Sequence, residues 1–263
     1  MPVAGPAAAW CESTGVRMAH KHPGAPDDVR AVASLALRHA AAVEHHLAGR
    51  SEIAVPLLEQ ILLGCRTVLG DRHPDTMVVA GNLAVAYLSA GRTDAGFAAL
   101  EEVYAERERV FGDDDPRTLT ALDCLAAAHR MAGSAGEAMR LSERVALIRE
   151  RVLGPTHVDT LASQLGVGLA YAQARALSQA VAVLATTLEN ACATYGSLHP
   201  HTIEIRAALA CCRALAGEHD RAIEEYDRAI AFATDLLGAD HPETAALRSE
   251  RRELCAESEP LPE

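Results

Sequence analysis

Leu69-Gly70-Asp71-Arg72-His73-Pro74-Asp75-Thr76 is the stretch on which the fold turns. Its Leu-Gly pair recurs as Phe111-Gly112, Leu153-Gly154, Tyr195-Gly196 and Leu237-Gly238, each 42 residues after the one before. The His-Pro-Asp-Thr that follows recurs in the same register as Asp115-Pro116-Arg117-Thr118, His157-Val158-Asp159-Thr160, His199-Pro200-His201-Thr202 and His241-Pro242-Glu243-Thr244. A third marker, Gly49-Arg50, returns as Gly91-Arg92, Gly133-Ser134, Arg175-Ala176 and Gly217-Glu218. Three markers that keep one period without a gap define an internal repeat. A period of this length belongs to stacked supersecondary units.

Each marker has a local physical meaning. A proline opening a periodic run suits the first helical position, where its missing N–H costs nothing. The residue before it sits at the N-cap, and Asp115 is well suited to that place. The mid-repeat glycine ends the first helix in a left-handed conformation, and the Leu-Gly or Phe-Gly pair closes the second helix in the same way. Each repeat is therefore two antiparallel helices, about 74–90 and 93–111 in the clearest copy. Apolar spacing agrees: Val79, Ala80, Leu83, Ala84 and Tyr87 fall on one face of the first helix. In the second, Gly96, Phe97, Leu100, Val103, Tyr104, Val110 and Phe111 do the same. A small residue follows the turn in every copy (Ala54, Gly96, Ala138, Ala180, Ala222) and lets the paired helices approach closely. One pair cannot bury both its faces, so neighbours must stack.

The run Leu69-Gly70-x-x-His73-Pro74-x-Thr76, then Asn82-Leu83-Ala84-x-x-Tyr87, then Gly91-Arg92, resembles the kinesin light chain type of tetratricopeptide repeat, over about residues 29–257. The resemblance implies an all-α, right-handed α-solenoid of antiparallel helix pairs, the tetratricopeptide superhelix. Five repeats are expected, at 29–70, 71–112, 113–154, 155–196 and 197–238. A C-terminal capping segment follows over 239–257, its helix loaded with Arg248, Glu250, Arg251, Arg252 and Glu253. Residues 1–28, with Pro2, Pro6, Pro23 and Pro26, form an irregular arm, and 258–263 a tail.

In that family the first helices line a concave groove. Transferred column by column, the lining here is Ala36, Val78, Thr120, Ala162 and Glu204; His39, Gly81, Asp123, Leu165 and Ala207; Ala40, Asn82, Cys124, Gly166 and Ala208; Val43, Val85, Ala127, Leu169 and Cys211; and His46, Leu88, Arg130, Ala172 and Ala214. The candidate binding residues are His39, His46, Val78, Asn82, Val85, Leu88, Thr120, Asp123, Arg130, Leu165, Leu169, Glu204 and Cys211. Asparagines in the third column hold peptide backbones in the family, and here only Asn82 matches. The groove is polar in its first half (His39, His46, Asn82, Asp123, Arg130) and apolar in its second (Leu165, Leu169, Cys211). Such a lining suits a partner helix, a hydrophobic segment or a small hydrophobic ligand. It is equally suited to cover by the chain's own arm, which carries the only tryptophan, Trp10, or by a second copy in a homodimer.

Composition narrows the partners. A formal charge of −12 repels phosphate backbones and anionic lipid surfaces, so neither nucleic acid nor membrane is expected. No apolar run reaches the length of a membrane span, and Met1 to Trp10 lacks the parts of a signal peptide. Lys21 is the only lysine against many arginines, a composition typical of GC-rich bacterial genomes. The seven cysteines (Cys11, Cys65, Cys124, Cys192, Cys211, Cys212, Cys255) are odd in number and follow no disulfide or zinc spacing. They read as buried free thiols in a reducing, cytoplasmic compartment.

No motif carries chemistry. There is no P-loop around Lys21, no Gly-x-Ser-x-Gly and no His-Glu-x-x-His. His20 with His22, or His199 with His201, could be imagined as metal pairs, but His199 belongs to the repeat marker; no metal and no cofactor is expected. His45 stands in the column of Tyr87 and packs. Asp113, Asp114 and Asp115 form the inter-repeat turn and cap the next helix rather than a cation loop. In the fourth repeat Arg175 replaces the turn glycine, at a cost of about 1 kcal/mol if it stays left-handed, and Val158 replaces the proline. One acid–base arrangement survives, His39 and His46 with Asp123 and Arg130, suited to a cyclase or isomerase, although first helices two repeats apart stand about 20 Å apart. The expected function is a non-enzymatic scaffold binding a protein or peptide segment. The alternative is a small-molecule binding protein or an unusual cyclase or isomerase.

Overall fold

A computed structural model describes residues 26–258, with side chains from Arg30 to Ala256. Trp10, Cys11, His20, Lys21, His22 and nearly all of the expected tail lie outside the described residues. The helices are α1 (Pro26–Leu47), α2 (Ser51–Leu69), α3 (Pro74–Ser89), α4 (Thr93–Phe111), α5 (Pro116–Met131), α6 (Ala135–Leu153), α7 (Val158–Gln173), α8 (Leu177–Tyr195), α9 (Pro200–Leu215), α10 (His219–Leu237) and α11 (Pro242–Ser258). The described residues are all-α, as expected. α1 opens at Pro26, so it takes in the end of the segment expected to be an irregular arm.

The first helix of a repeat is started by the residue before its first turn. His73 Nδ1 accepts from the Asp75 backbone N–H at 3.2 Å, and the Asp115 carboxylate accepts from the Arg117 N–H at 2.9 Å. His157 and His241 repeat the histidine arrangement at 3.2 and 3.3 Å. The marker histidine is thus an N-cap, and it starts α7 even where Val158 has replaced the proline. His199 departs from this: its side chain makes no cap bond, and its ring lies 4.9 Å from Tyr195 and 5.5 Å from His201.

The two glycine markers end helices in different conformations, which corrects the expectation that both act alike. Gly91 has φ +74°, its N–H bonds to the Leu88 carbonyl at 3.0 Å, and the Arg92 N–H bonds to the Tyr87 carbonyl at 2.8 Å. That is a Schellman ending with a left-handed residue. Arg175 keeps it at φ +62°, with Arg175 N–H on the Ala172 carbonyl and Ala176 N–H on the Tyr171 carbonyl. Gly70 instead combines φ 88° with ψ 162°, and the glycine ending every later second helix is close to it. Positive φ with extended ψ is open to glycine almost alone. A left-handed residue with a side chain costs only about 1–2 kcal/mol. The mid-repeat glycine could therefore drift to Arg175 while the glycine after the second helix is kept in all five copies.

The helices form two compact units that part between Ala132 and Gly133. In the first, α1–α5 pack in sequence, and first helices of adjacent repeats touch, α1 on α3 and α3 on α5. Its core includes Leu35, Leu58, Ile61, Leu62, Val79 and Leu83. The small column holds here: a Cβ on Gly96 would lie 2.5 Å from Leu88 Cδ2. In the second unit α6–α11 pack in sequence and α7 touches α9. Its cores gather Leu161, Leu184, Ile205 and Leu209, and then Tyr226, Ala229, Leu247 and Leu254. α11 sets Leu247 and Leu254 inward while Arg252 and Glu253 stay exposed. No described helix is long and apolar enough to cross a membrane.

Candidate binding face of the first helices

Stacking of α1 on α3 brings residues of neighbouring columns side by side. His39 on α1 and Asn82 on α3 show the result. The Asn82 side-chain Nδ2 donates to His39 Nε2 at 2.8 Å, with both residues 1 % exposed. Burial lowers the His39 pKa to about 4, so the imidazole is neutral at ordinary pH. An accepting Nε2 puts the ring proton on Nδ1, which has no hydrogen-bond partner among the described residues. Asn82, the one residue matching the family's peptide-holding column, is thus engaged by its neighbouring repeat.

The other candidates divide by exposure. Val85, Asp123 and Leu165 are buried along with His39 and Asn82. His46, Val78, Leu88, Thr120, Arg130, Leu169 and Glu204 are half-buried, and Cys211 is exposed. His46 Nδ1 lies 3.1 Å from Ser51 Oγ, and burial lowers its pKa. Thr120 Oγ1 donates to the Pro116 carbonyl at 2.8 Å, and Glu204 sits 3.4 Å from His201 Nδ1. Leu165 and Leu169 belong to the core between α7, α8 and α9. Two surface depressions stand out, about 470 Å³ beside Ala239, Asp240 and Arg252, and about 340 Å³ beside Arg50, Glu52 and Ser89. Neither is lined by His39, His46, Asp123 or Arg130. His39 is paired with an amide and titrates far from neutrality, which does not suit the acid–base arrangement.

The cysteines follow expectation in part. Cys65, Cys124 and Cys212 are buried and free, and burial pushes the Cys65 thiol up to about 11 and that of Cys212 to about 12. Cys211, however, is exposed.

Three buried polar arrangements were missed by column reading. Arg107 Nη1 donates to the Arg117 carbonyl at 2.8 Å and Nη2 to the Met77 carbonyl at 3.2 Å. Arg149, one period later, donates to the Asp159 carbonyl at 3.0 Å and to Ser163 Oγ at 2.7 Å. Each arginine ties a second helix to the start of the next first helix; burial holds the Arg107 pKa at about 10. In the second unit Glu225 is buried among Arg206, Arg213 and Arg228, the last two at 3.2 Å. The signal was present in the columns. Arg107 and Arg149 share theirs with Cys65, Ala191 and Ala233, and Glu225 shares its own with Leu57, Ala99, Leu141 and Val183. A charge in an otherwise apolar column marks a buried partner.

Profiles of the tetratricopeptide repeat match residues 32–105 in one form and 118–159 and 214–243 in another, together more than half of the chain. No curated protein matches. Among solved structures, tetratricopeptide-like repeats assigned to a kinesin light chain of Podosopora anserina are similar at a TM-score of 0.67 and 27 % identity, covering 77 % of this chain and 95 % of that one. BtubC (BKLC) of P. vanneervenii gives 0.65 at 19 % identity, over 90 % of this chain and 91 % of that one. A tetratricopeptide repeat protein of Thermus thermophilus gives 0.55 at 22 %, over 84 % and 99 %. The last two likenesses bear on the fold alone.

Proposed function

The chain belongs to the tetratricopeptide repeat family, its repeats being of the kinesin light chain kind, and from that premise we propose that it is a non-enzymatic scaffold which binds a protein or peptide segment on the face of its first helices. Tetratricopeptide repeats are protein-binding modules, and stacked repeats present an extended surface for the purpose. The supporting observation is a contrast between columns. The positions that build the helices repeat closely: Thr76, Thr118, Thr160, Thr202 and Thr244 are all buried in one column. The accessible positions of the first helices change from copy to copy, as in Val78, Thr120 and Glu204. A face free of a structural duty can carry specificity.

The occupant is not held by an asparagine ladder, because Asn82 is bonded to His39 and its column otherwise carries Ala40, Cys124, Gly166 and Ala208. Contact falls instead on half-exposed groups, Val78, Thr120 and Arg130 in the first unit and Leu169 and Glu204 in the second, together with exposed Cys211. A cytoplasmic, bacterial setting accords with the free cysteines and with the scarcity of lysine.

Affinity capture from an extract of the source organism tests this. Thr120→Arg and Cys211→Arg place a bulky cation on the face of one unit each, and circular dichroism verifies that both variants fold. At least one protein captured by the wild type should fall about tenfold with one of them, the size of a lost hot-spot contact. An identical set of captured proteins for wild type and both variants would overturn the proposal.

A further inference from the structure

The first helices α3, α5, α7 and α9 all bury one stripe, which on α3 faces the preceding repeat. Thr76, Val79, Leu83 and Ala86 are buried on α3, as are Thr118, Ala121, Leu125 and Ala128 on α5. The same columns on α1 are Ser34, Leu37, Ala41 and Glu44, and all four are exposed, Leu37 by 76 %. Arg30 and Ala33 extend the stripe and are exposed too. α11, the last helix in chain order, turns Arg252 and Glu253 outward and pairs Arg251 with Asp227 at 2.8 Å. A terminal repeat needs a polar outer face. α11 has one, whereas the centre of the α1 stripe is Ala33, Leu37 and Ala41.

We propose that this stripe is the interface of a homodimer, in which α1 packs antiparallel against α1 of a second copy of this chain with Leu37 on the two-fold axis. The stripe is self-complementary about Leu37. Arg30 and Glu44 lie seven residues to either side of it, and Ala33 and Ala41 four residues to either side. A two-fold axis through Leu37 sets Arg30 of each copy against Glu44 of the other, and Ala33 against Ala41. Seven residues are nearly two helical turns, about 10 Å along the axis, so both charge pairs sit at matching heights. The alanines leave room on each side for the opposing leucine, and an isologous contact demands this pairing of a patch with itself. A parallel arrangement would oppose Arg30 to Arg30 and Glu44 to Glu44, so the charges select the antiparallel one. Arg38 does not interfere, because its guanidinium donates to Gln60 on α2 at 3.1 Å. The contact uses an end face and leaves the accessible face of the first helices free.

Sedimentation velocity of the full chain across the micromolar range is the test, with circular dichroism as the check on folding. The wild type should dimerise, and Leu37→Arg should be monomeric throughout. Arg30→Glu and Glu44→Arg should each weaken the dimer about tenfold, since each reversal turns two attractive contacts into two repulsive ones. Arg30→Glu combined with Glu44→Arg should restore wild-type affinity. A wild type that stays monomeric, a dimer that survives Leu37→Arg, or a double reversal no better than the single ones would overturn the proposal. A monomer whose residues 1–25 cross-link to Ala33 and Ala41 positions would overturn it as well, by identifying that segment as the occupant.

Discussion

In α1–α5 one buried polar pair beside the first-helix face joins two neutral groups, an imidazole and an amide 2.8 Å apart. In α6–α11 the corresponding depth holds ions, with Glu225 meeting Arg206 and Arg213. Both arrangements join neighbouring helices, and in each one partner, Asn82 or Glu225, stands in an otherwise apolar column. The difference lies in what is lost on separation. A neutral pair forfeits a hydrogen bond, whereas an ion left alone forfeits its solvation as well. One repeat geometry thus accommodates either solution.

Five measurements would break or sharpen that contrast. The largest effect is expected at Glu225. Replacement by Leu leaves Arg206 buried without its carboxylate and should cost about 3–5 kcal/mol in denaturant unfolding. The double variant Arg206→Met with Glu225→Leu should recover most of that loss. If the single substitution cost under about 1 kcal/mol, the cluster would behave as an exposed pair.

Acid should act next, through the first unit. The folded pKa of His39 is about 4, below its ordinary 6.5, so in this window the unfolded chain binds the extra proton. His39 contributes nothing to the pH dependence above pH 6.5. Stability falls as the pH drops from 6.5 to about 4, by about 3 kcal/mol in total. A His39→Gln variant should lose that part of the pH dependence, and a wild type with flat stability over the window would contradict it.

Asn82→Leu should then cost about 1–3 kcal/mol, because His39 Nε2 is left buried without a donor. The smallest effect is expected at Arg175, where the second unit holds a side chain at φ +62° and the first keeps Gly49 and Gly91. Arg175→Gly should raise stability by about 1 kcal/mol through relief of the left-handed strain. Gly70→Ala, by contrast, should destabilise, because φ 88° with ψ 162° excludes a Cβ.

Much of the fold was legible in the sequence. The 42-residue period, the proline at the first helical position and the small column after the turn led to helices within a few residues of those observed. The turn glycine was legible as a positive-φ position, but the ψ that separates Gly70 from Gly91 was not, because both glycines follow a helix. The candidate face could be drawn from the sequence as a set of columns and not as exposures. Val85, Asp123 and Leu165 occupy columns carried over as lining, yet the neighbouring helices cover them. The Arg107 and Arg149 contacts escaped for a related reason. Each arginine reaches ten residues along the chain to a backbone carbonyl, and a carbonyl carries no mark in the sequence.

The repeat length and the positions of the helix ends were determined by the sequence alone. They depend on contacts within a few residues and on a period that any copy displays. Which polar side chains are spent on one another was decided by the tertiary structure. His39 and Asn82 are 43 residues apart, and Arg206 and Glu225 are 19 apart on different helices. Stacking brings such residues together and removes water from both at once. The pairing energy exists only where that desolvation has occurred, and no local pattern records it.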